Sequence, residues 1–273
     1  MPKLTTPDQV NLNYTDIGSG RPIVMIHGWP LSGAAFADNA KVLAAAGYRV
    51  ITYDRRGFGQ SGKPRDGYDY DTLAADLDAL LTGLDLHDVV LLGFSMGGGE
   101  VARYLATRGS ERVGAAILSG SICPALCITK DNPDGAMPRE GFQELADACA
   151  ADHAGFVDQF CGWFYSNDQG LTVPEEIRQQ AVEIAQQSAP HAAVATILTW
   201  TEDLREDCRR INVPLLVIHG DEDQNVPLAK SSARMPEYAQ QAQLVVIEGG
   251  PHGINVSHAD QWNAAILSFL AGS

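Results

Sequence analysis

Asp88-Val89-Val90-Leu91-Leu92-Gly93-Phe94-Ser95-Met96-Gly97-Gly98-Gly99-Glu100-Val101-Ala102-Arg103-Tyr104-Leu105 reads as a buried strand, a sharp turn and a helix. The apolar run suits a strand covered on both faces, and the turn carries the spacing G-x-S-x-G. The chain must reverse there between a parallel strand and a closely packed helix. Gly93 and Gly97 therefore fall where a β-carbon would meet neighbouring backbone. Ser95 is left at the apex with its hydroxyl exposed. Beneath it lies the start of the helix, whose free N–H groups and dipole favour an oxyanion. Three fixed positions also occur by chance, so the flanking strand and amphipathic helix are what give the motif its weight. A serine so placed needs a base, an acid and a second oxyanion donor from elsewhere in the chain.

Outward from this turn, the N-terminal half alternates strands and helices. Val10-Asn11-Leu12-Asn13-Tyr14 has the alternation of a half-buried edge strand, and Pro22-Ile23-Val24-Met25-Ile26 is a continuous apolar run. A helix is expected over 36–46, a strand over 48–53, a helix over 70–84 with leucines on one stripe, and a strand over 113–118. Short connections between them predict a mostly parallel sheet with helices on both faces. From 121 to 210 strand-like runs vanish and helices are expected over 139–150, 154–163, 174–187 and 191–204. This block reads as a helical cap inserted in a core formed by 1–120 and 211–273. Strands over 215–219 and 243–247 resume the alternation, and a helix over 258–270 closes it.

A chain of 273 residues with 45% hydrophobic and 19% charged residues is globular and large enough for a sizeable core. Its formal net charge of −15 argues against a phosphate backbone or an anionic membrane surface as partner. The first residues lack the apolar core of a signal peptide, and no stretch approaches ~20 apolar residues, so a soluble cytoplasmic protein is expected. The five cysteines show neither metal-type pairing nor C-x-x-C, which favours free buried thiols. Gly57-x-Gly59-x-x-Gly62 superficially resembles a phosphate loop, but no helix opens after it and Pro64 follows, so a structural turn is the better reading.

The base and acid should each follow a later strand, in the order serine, acid, histidine. Asp221, Glu222 and Asp223 all follow the strand at 215–219, and pattern alone does not choose among them. Of seven histidines, His252 alone sits where that order demands the base, in the glycine-rich loop after the last strand. His27-Gly28-Trp29-Pro30 follows the first fully apolar strand, where a loop would bring the Trp29 N–H beside that of Met96; an ordinary strand-to-helix connection also explains it. Phe156, Phe160, Trp163, Phe164, Tyr165 and Trp200 concentrate aromatic residues in the cap. Several should simply hold the cap together while a minority line an apolar pocket.

Taken together, five stretches make the sequence resemble an α/β-hydrolase of the cofactor-free haloperoxidase (non-haem chloroperoxidase), arylesterase and perhydrolase group. They are His27-Gly28-Trp29-Pro30, Asp54-x-Arg56-Gly57-x-Gly59-x-Ser61, Gly93-Phe94-Ser95-Met96-Gly97-Gly98-Gly99-Glu100, His219-Gly220-Asp221-x-Asp223-Gln224-x-Val226-Pro227 and Pro251-His252-Gly253. The resemblance implies an α/β-hydrolase fold, a mostly parallel twisted sheet with the cap inserted after the sixth strand. It implies Ser95, Asp223 and His252 as catalytic residues, with Asp221 as a turn-former, and Trp29 and Met96 as the oxyanion hole. Trp29, Phe160, Phe164, Trp200 and Val226 are the candidates for substrate contact. Asn225 departs from the group, whose members usually carry an aliphatic residue there.

The implied activity is hydrolysis of small aryl or alkyl carboxylic esters through an acyl-enzyme. Hydrogen peroxide replacing water would give a peracid able to oxidise halide. The implied partners are a small-molecule ester and hydrogen peroxide, with no cofactor, metal, nucleic acid or membrane, and homo-oligomers are common among similar proteins. Lactonase, amidase and carbon-carbon bond hydrolase activities also suit a serine triad, and a ligand-binding receptor on a hydrolase scaffold is the alternative outside catalysis. Epoxide hydrolases and haloalkane dehalogenases use an aspartate at the turn, so Ser95 disfavours them.

Overall fold

The computed structural model describes residues 2–272. Among these residues eight strands form one sheet: β1 (Lys3–Thr5), β2 (Asn11–Gly18), β3 (Pro22–Ile26), β4 (Arg49–Tyr53), β5 (Val89–Phe94), β6 (Val113–Ser119), β7 (Leu215–Gly220) and β8 (Ala242–Ile247). Their order across the sheet is β1-β2-β4-β3-β5-β6-β7-β8. From β4 onward every pairing is parallel, and β1 and β2 add an antiparallel edge. The continuous apolar runs become the central strands: every residue of β5 and of β7 is buried. At the edge, β8 leaves Leu244 and Val246 exposed.

Helices α1 (Ala37–Ala45), α2 (Tyr70–Gly83) and α3 (Met96–Arg108) follow β3, β4 and β5. α3 packs beside α2 and against β5 and β6. The leucine stripe of α2 (Leu73, Leu77, Leu80 and Leu81) is wholly buried. Its N-terminus is capped by Asp69, whose carboxylate accepts from the Thr72 N–H at 2.9 Å and satisfies one of the free donors of the first turn.

Between β6 and β7 lie α4 (Arg139–Ala151), α5 (His153–Phe164), α6 (Glu175–Ala185), α7 (Pro190–Thr199) and α8 (Arg205–Arg209), with two short strand pairs. The insertion thus follows the sixth strand. The helix expected over 191–204 ends early: α7 stops at Thr199, residues 200–204 form a turn, and α8 starts beyond the expected range at Arg205. Leu204, buried in that turn, ties it to the core by donating its N–H to the Pro124 carbonyl at 3.0 Å. α8 packs on α3, where Arg103 Nε donates to Asp207 Oδ1 at 3.1 Å. The closing helix expected over 258–270 is α10 (Ala259–Ala271), which packs on α1 and is preceded by the one-turn α9 (Ile254–Ser257). β1 was not foreseen, because three residues give no periodicity to read; its pairing with β2 makes it a strand. All five cysteines are free and buried.

Candidate active site

The turn after β5 takes the shape that its glycines allow. Ser95 sits at φ 55° and ψ −119°, in the region that most side chains avoid. A β-carbon on Gly93 would run into the Gly97 carbonyl, so no other residue fits there without moving the helix. Ser95 is anchored by its own N–H, donated to the Ser119 carbonyl of β6 at 2.8 Å. Its Oγ lies 2.9 Å from His252 Nε2.

His252 is on the loop after β8, and its Nδ1–H donates to Asp223 Oδ2 at 2.5 Å. The ring is gripped edge-on by Phe94 and Phe164, with centroids at 5.3 and 4.9 Å. Asp223 follows β7. Its Oδ1 accepts the backbone N–H groups of Asn225 and Val226 at 2.9 and 2.8 Å. Burial by itself would raise its pKa, but the facing His252 and the hydrogen bonds donated by His219 and His252 outweigh it and hold the carboxyl well below its ordinary value.

The three acids left open by the pattern are divided by these contacts. Asp221 is exposed and its Oδ1 accepts the Gly249 N–H at 2.7 Å, bracing the His252 loop. Glu222 accepts the Asp168 N–H at 3.3 Å. Asp223 alone of the three reaches His252 among the described residues.

The loop after β3 lies directly against the serine: a β-carbon on Gly28 would sit 2.9 Å from the Ser95 Cβ. Trp29, the next residue, is therefore beside the start of α3, where Met96 is the first helical residue and its N–H has no partner within the helix. Tyr70 fixes that end by donating its hydroxyl to the Met96 carbonyl at 3.1 Å. Pro30 is buried and follows Trp29 through a cis peptide bond. His27 supports the loop through both ring nitrogens: Nδ1–H donates to the Gly28 carbonyl at 2.8 Å and Nε2 accepts the Arg55 N–H at 3.0 Å. Burial, reinforced by the Arg55 charge, lowers its pKa far enough to keep it neutral.

The Asp54-Arg55-Arg56 loop is a junction of buried charged groups. Arg55 Nη2 donates to the His27 carbonyl at 2.8 Å, and its Nε donates to Glu100 Oε2 of α3 at 2.9 Å, both side chains being 0% exposed. Tyr53 donates its hydroxyl to the other Glu100 oxygen. Asp54 accepts from Gly33 N–H at 2.9 Å and Gln60 N–H at 2.8 Å, so the glycine-rich stretch folds back on its own carboxylate.

Ser95 and His252 open onto a cavity of about 280 Å³ beneath the inserted helices. Of the residues expected to touch substrate, Phe160, Trp200 and Val226 line it. Trp29 and Phe164 do not. The Trp29 ring is 1% exposed, held behind the wall by edge contacts to Phe160 and Trp200 and by an Nε1–H bond to the Ala193 carbonyl at 3.0 Å. Phe164 is consumed in packing against His252, Phe94 and Tyr165. Phe156 and Trp163 line the cavity as well, so four of the six aromatic residues picked out in the insertion face it, where a minority was expected. Ile122, Leu126, Ala136, Met137, Phe142 and Leu145 add to the apolar wall unannounced by any motif, since apolar residues of a cap are indistinguishable in sequence from those of its core. Asn225 is also on the wall, and its Oδ1 is buried without a hydrogen-bond partner among the described residues.

The alpha/beta hydrolase fold family matches residues 21–259. Over 274 residues the chain is 40% identical to the non-heme chloroperoxidase of Kitasatospora aureofaciens, with 99% of each chain covered. It is 33% identical over 272 residues to the bifunctional esterase/perhydrolase of Acinetobacter calcoaceticus, again with 98% of each covered. The crystal structure of a bromoperoxidase from Bacillus anthracis matches with a TM-score of 0.96 at 40% identity, over 99% of both chains.

Proposed function

The chain belongs to the alpha/beta hydrolase fold family, among relatives of the non-heme chloroperoxidases, and from that premise we propose that it is a serine esterase acting on small carboxylic esters, with perhydrolysis as a second outcome of the same acyl-enzyme. The observation that carries this reading is the continuous hydrogen-bonded chain at the cavity floor, Ser95 Oγ to His252 Nε2 at 2.9 Å and His252 Nδ1 to Asp223 at 2.5 Å. The ester carbonyl enters the cavity beside Ser95. His252 Nε2 takes the hydroxyl proton as Oγ bonds to the carbonyl carbon, and the Asp223 carboxylate stabilises the imidazolium. The oxyanion is received by the N–H groups of Trp29 and Met96. Loss of one such donor costs on the order of 3 kcal/mol of transition-state stabilisation, so the loop after β3 matters as much as the serine.

As the tetrahedral intermediate collapses, His252 returns the proton to the leaving alcohol and Ser95 holds the acyl group. Water, deprotonated by His252, then attacks the acyl carbon and releases the acid. Hydrogen peroxide attacking in its place releases a peracid, which oxidises halide in solution. The names of the relatives, chloroperoxidase and esterase/perhydrolase, support both outcomes. We assign residues 121–210 the role of a cap that shapes the acyl site; the lining by Phe160 and Trp200 supports this.

The test compares wild type with Ser95→Ala on a short-chain aryl ester, with and without hydrogen peroxide, following peracid in the same cuvette. Turnover in wild type that vanishes in the variant is expected, with peracid above the enzyme-free rate. A variant as active as wild type would end the serine-esterase reading.

A further inference from the structure

His219 is the last residue but one of the buried strand β7. Its side chain is 0% exposed and spans three groups. Nε2 lies 2.8 Å from the Val226 carbonyl oxygen and 3.1 Å from Asp223 Oδ2. Nδ1 lies 2.7 Å from Ser232 Oγ. A carbonyl oxygen can only accept, so Nε2 must carry a proton, and that one N–H is shared between the carbonyl and the carboxylate. Ser232 can donate to a bare Nδ1, which makes the neutral Nε2–H tautomer self-consistent.

The consequence lies in the Asp223 carboxylate. An ionised carboxylate offers about four acceptor positions. Oδ1 takes the N–H groups of Asn225 and Val226, and Oδ2 takes His252 Nδ1–H and His219 Nε2–H. Every position is filled, three of them from the segment 219–226 and the fourth by the base. The carboxylate can neither rotate without breaking several bonds at once nor accept a proton without displacing a donor.

We propose that His219 is a positioning residue for the triad: by donating its Nε2–H to Asp223 Oδ2 it locks that carboxylate toward His252 and takes up part of its negative charge. The inference rests on reading Ser95, His252 and Asp223 as the triad. The charged and titratable groups facing His219 are Asp223 from its own loop and, across that carboxylate, His252 from the loop after β8. The 3₁₀ turn at Ser232–Glu237 presents neutral Ser232, while its Arg234 is engaged with the Ala125 carbonyl and Asn132. The neighbour on β8 is the apolar Val246.

Two variants of the full chain and one measurement on wild type test this. His219→Leu keeps an apolar filling but removes the donor, so the carboxylate bears more fully on His252 and favours its imidazolium. The acid limb of the kcat/KM profile should move up by about half a pH unit and kcat should fall about tenfold, with KM little changed. His219→Gln restores an N–H donor near the Nε2 position and should restore the wild-type limb. Nitrogen NMR of histidine-labelled wild type should find a proton on His219 Nε2, a readout that does not depend on any variant folding. A bare Nε2, a His219→Leu enzyme with the wild-type limb and kcat, or a His219→Gln enzyme as impaired as His219→Leu would each overturn the proposal. Ser95→Ala separates the two levels: its retained turnover would remove the triad reading itself, whereas an inert Ser95→Ala beside an unaffected His219→Leu would remove only the role of His219.

Discussion

Glu100→Gln is the substitution that probes the foundation of the site most directly. Glu100 and Arg55 are both 0% exposed, and Arg55 divides its donors between Glu100 Oε2 at 2.9 Å and the His27 carbonyl at 2.8 Å, with Nη1 lacking a partner among the described residues. Burial raises the Glu100 carboxyl pKa, and Arg55 and the Tyr53 hydroxyl pull it back. A glutamine keeps the shape but offers a single acceptor oxygen where Arg55 and Tyr53 use two, and it removes the negative charge, leaving a guanidinium stranded in the core. Breaking a buried pair from one side costs about 3–5 kcal/mol. In a chain of this length each kcal/mol is worth about 2–4 °C, so Tm should fall by on the order of 10 °C.

Removing both charges is expected to be far milder. Arg55→Met combined with Glu100→Gln gives up the Coulombic gain and the desolvation penalty together and keeps an amide oxygen for the Tyr53 hydroxyl, leaving chiefly the His27 carbonyl without its donor, at about 1–3 kcal/mol. Urea denaturation of the four proteins at neutral pH measures the coupling as a double-mutant cycle. The same protein samples, assayed on an aryl ester, should show kcat falling more than KM rises, because the His27 carbonyl belongs to the loop that presents Trp29. A Glu100→Gln protein destabilised by less than about 1 kcal/mol, or a double variant worse than the single, would refute the reasoning.

Asp223→Asn should change both chemistry and acid stability. On the proposed triad the asparagine cannot stabilise an imidazolium and favours the wrong His252 tautomer, for a fall of about 10⁴-fold in kcat by analogy with established serine triads. The Asp223 carboxyl pKa is depressed in the fold, so the unfolded chain binds the extra proton; its stabilisation is complete above the unfolded value of about 3.9 and is lost as pH falls through and below it. Urea midpoints in that acid range should therefore fall less steeply in Asp223→Asn, and parallel slopes would count against it. Asn225→Val removes the unpartnered Oδ1 from the cavity wall. It should stabilise the chain by about 1 kcal/mol and lower KM progressively along a series of lengthening apolar acyl esters, and a flat KM series would argue that this wall does not meet the acyl chain.

How much of this was legible differs by residue. Ser95 announces itself because its turn demands glycine on both sides and an apolar strand before it, all within a dozen neighbouring positions. His252 and the acidic cluster at 221–223 were found because the chain order of strands restricts where each partner can fall. The choice of Asp223 over Asp221 came from resemblance, and the carboxylate contacts that distinguish them are set by the packing of β7 and β8. His219, Arg55 and Glu100 gave no signal of their work: a histidine ending an apolar strand, an arginine in a glycine-rich loop and a glutamate on a distant helix each have ordinary explanations. The aromatic residues of the insertion divided unpredictably, with Phe156, Phe160, Trp163 and Trp200 on the cavity and Phe164 behind His252.

The sequence by itself determined the alternation of strands and helices, the sharp turn at Ser95 and the loops that bear its partners, because periodicity, glycine sterics and chain order act over a few residues at a time. The tertiary structure alone decided which groups meet. His252 reaches Ser95 across 157 positions, and His219 reaches Ser232 across 13. Such contacts depend on how strands from distant parts of the chain register in one sheet. A cavity wall depends further on which side of each inserted helix faces inward, and a helix with apolar residues on more than one side carries that choice only in its packing.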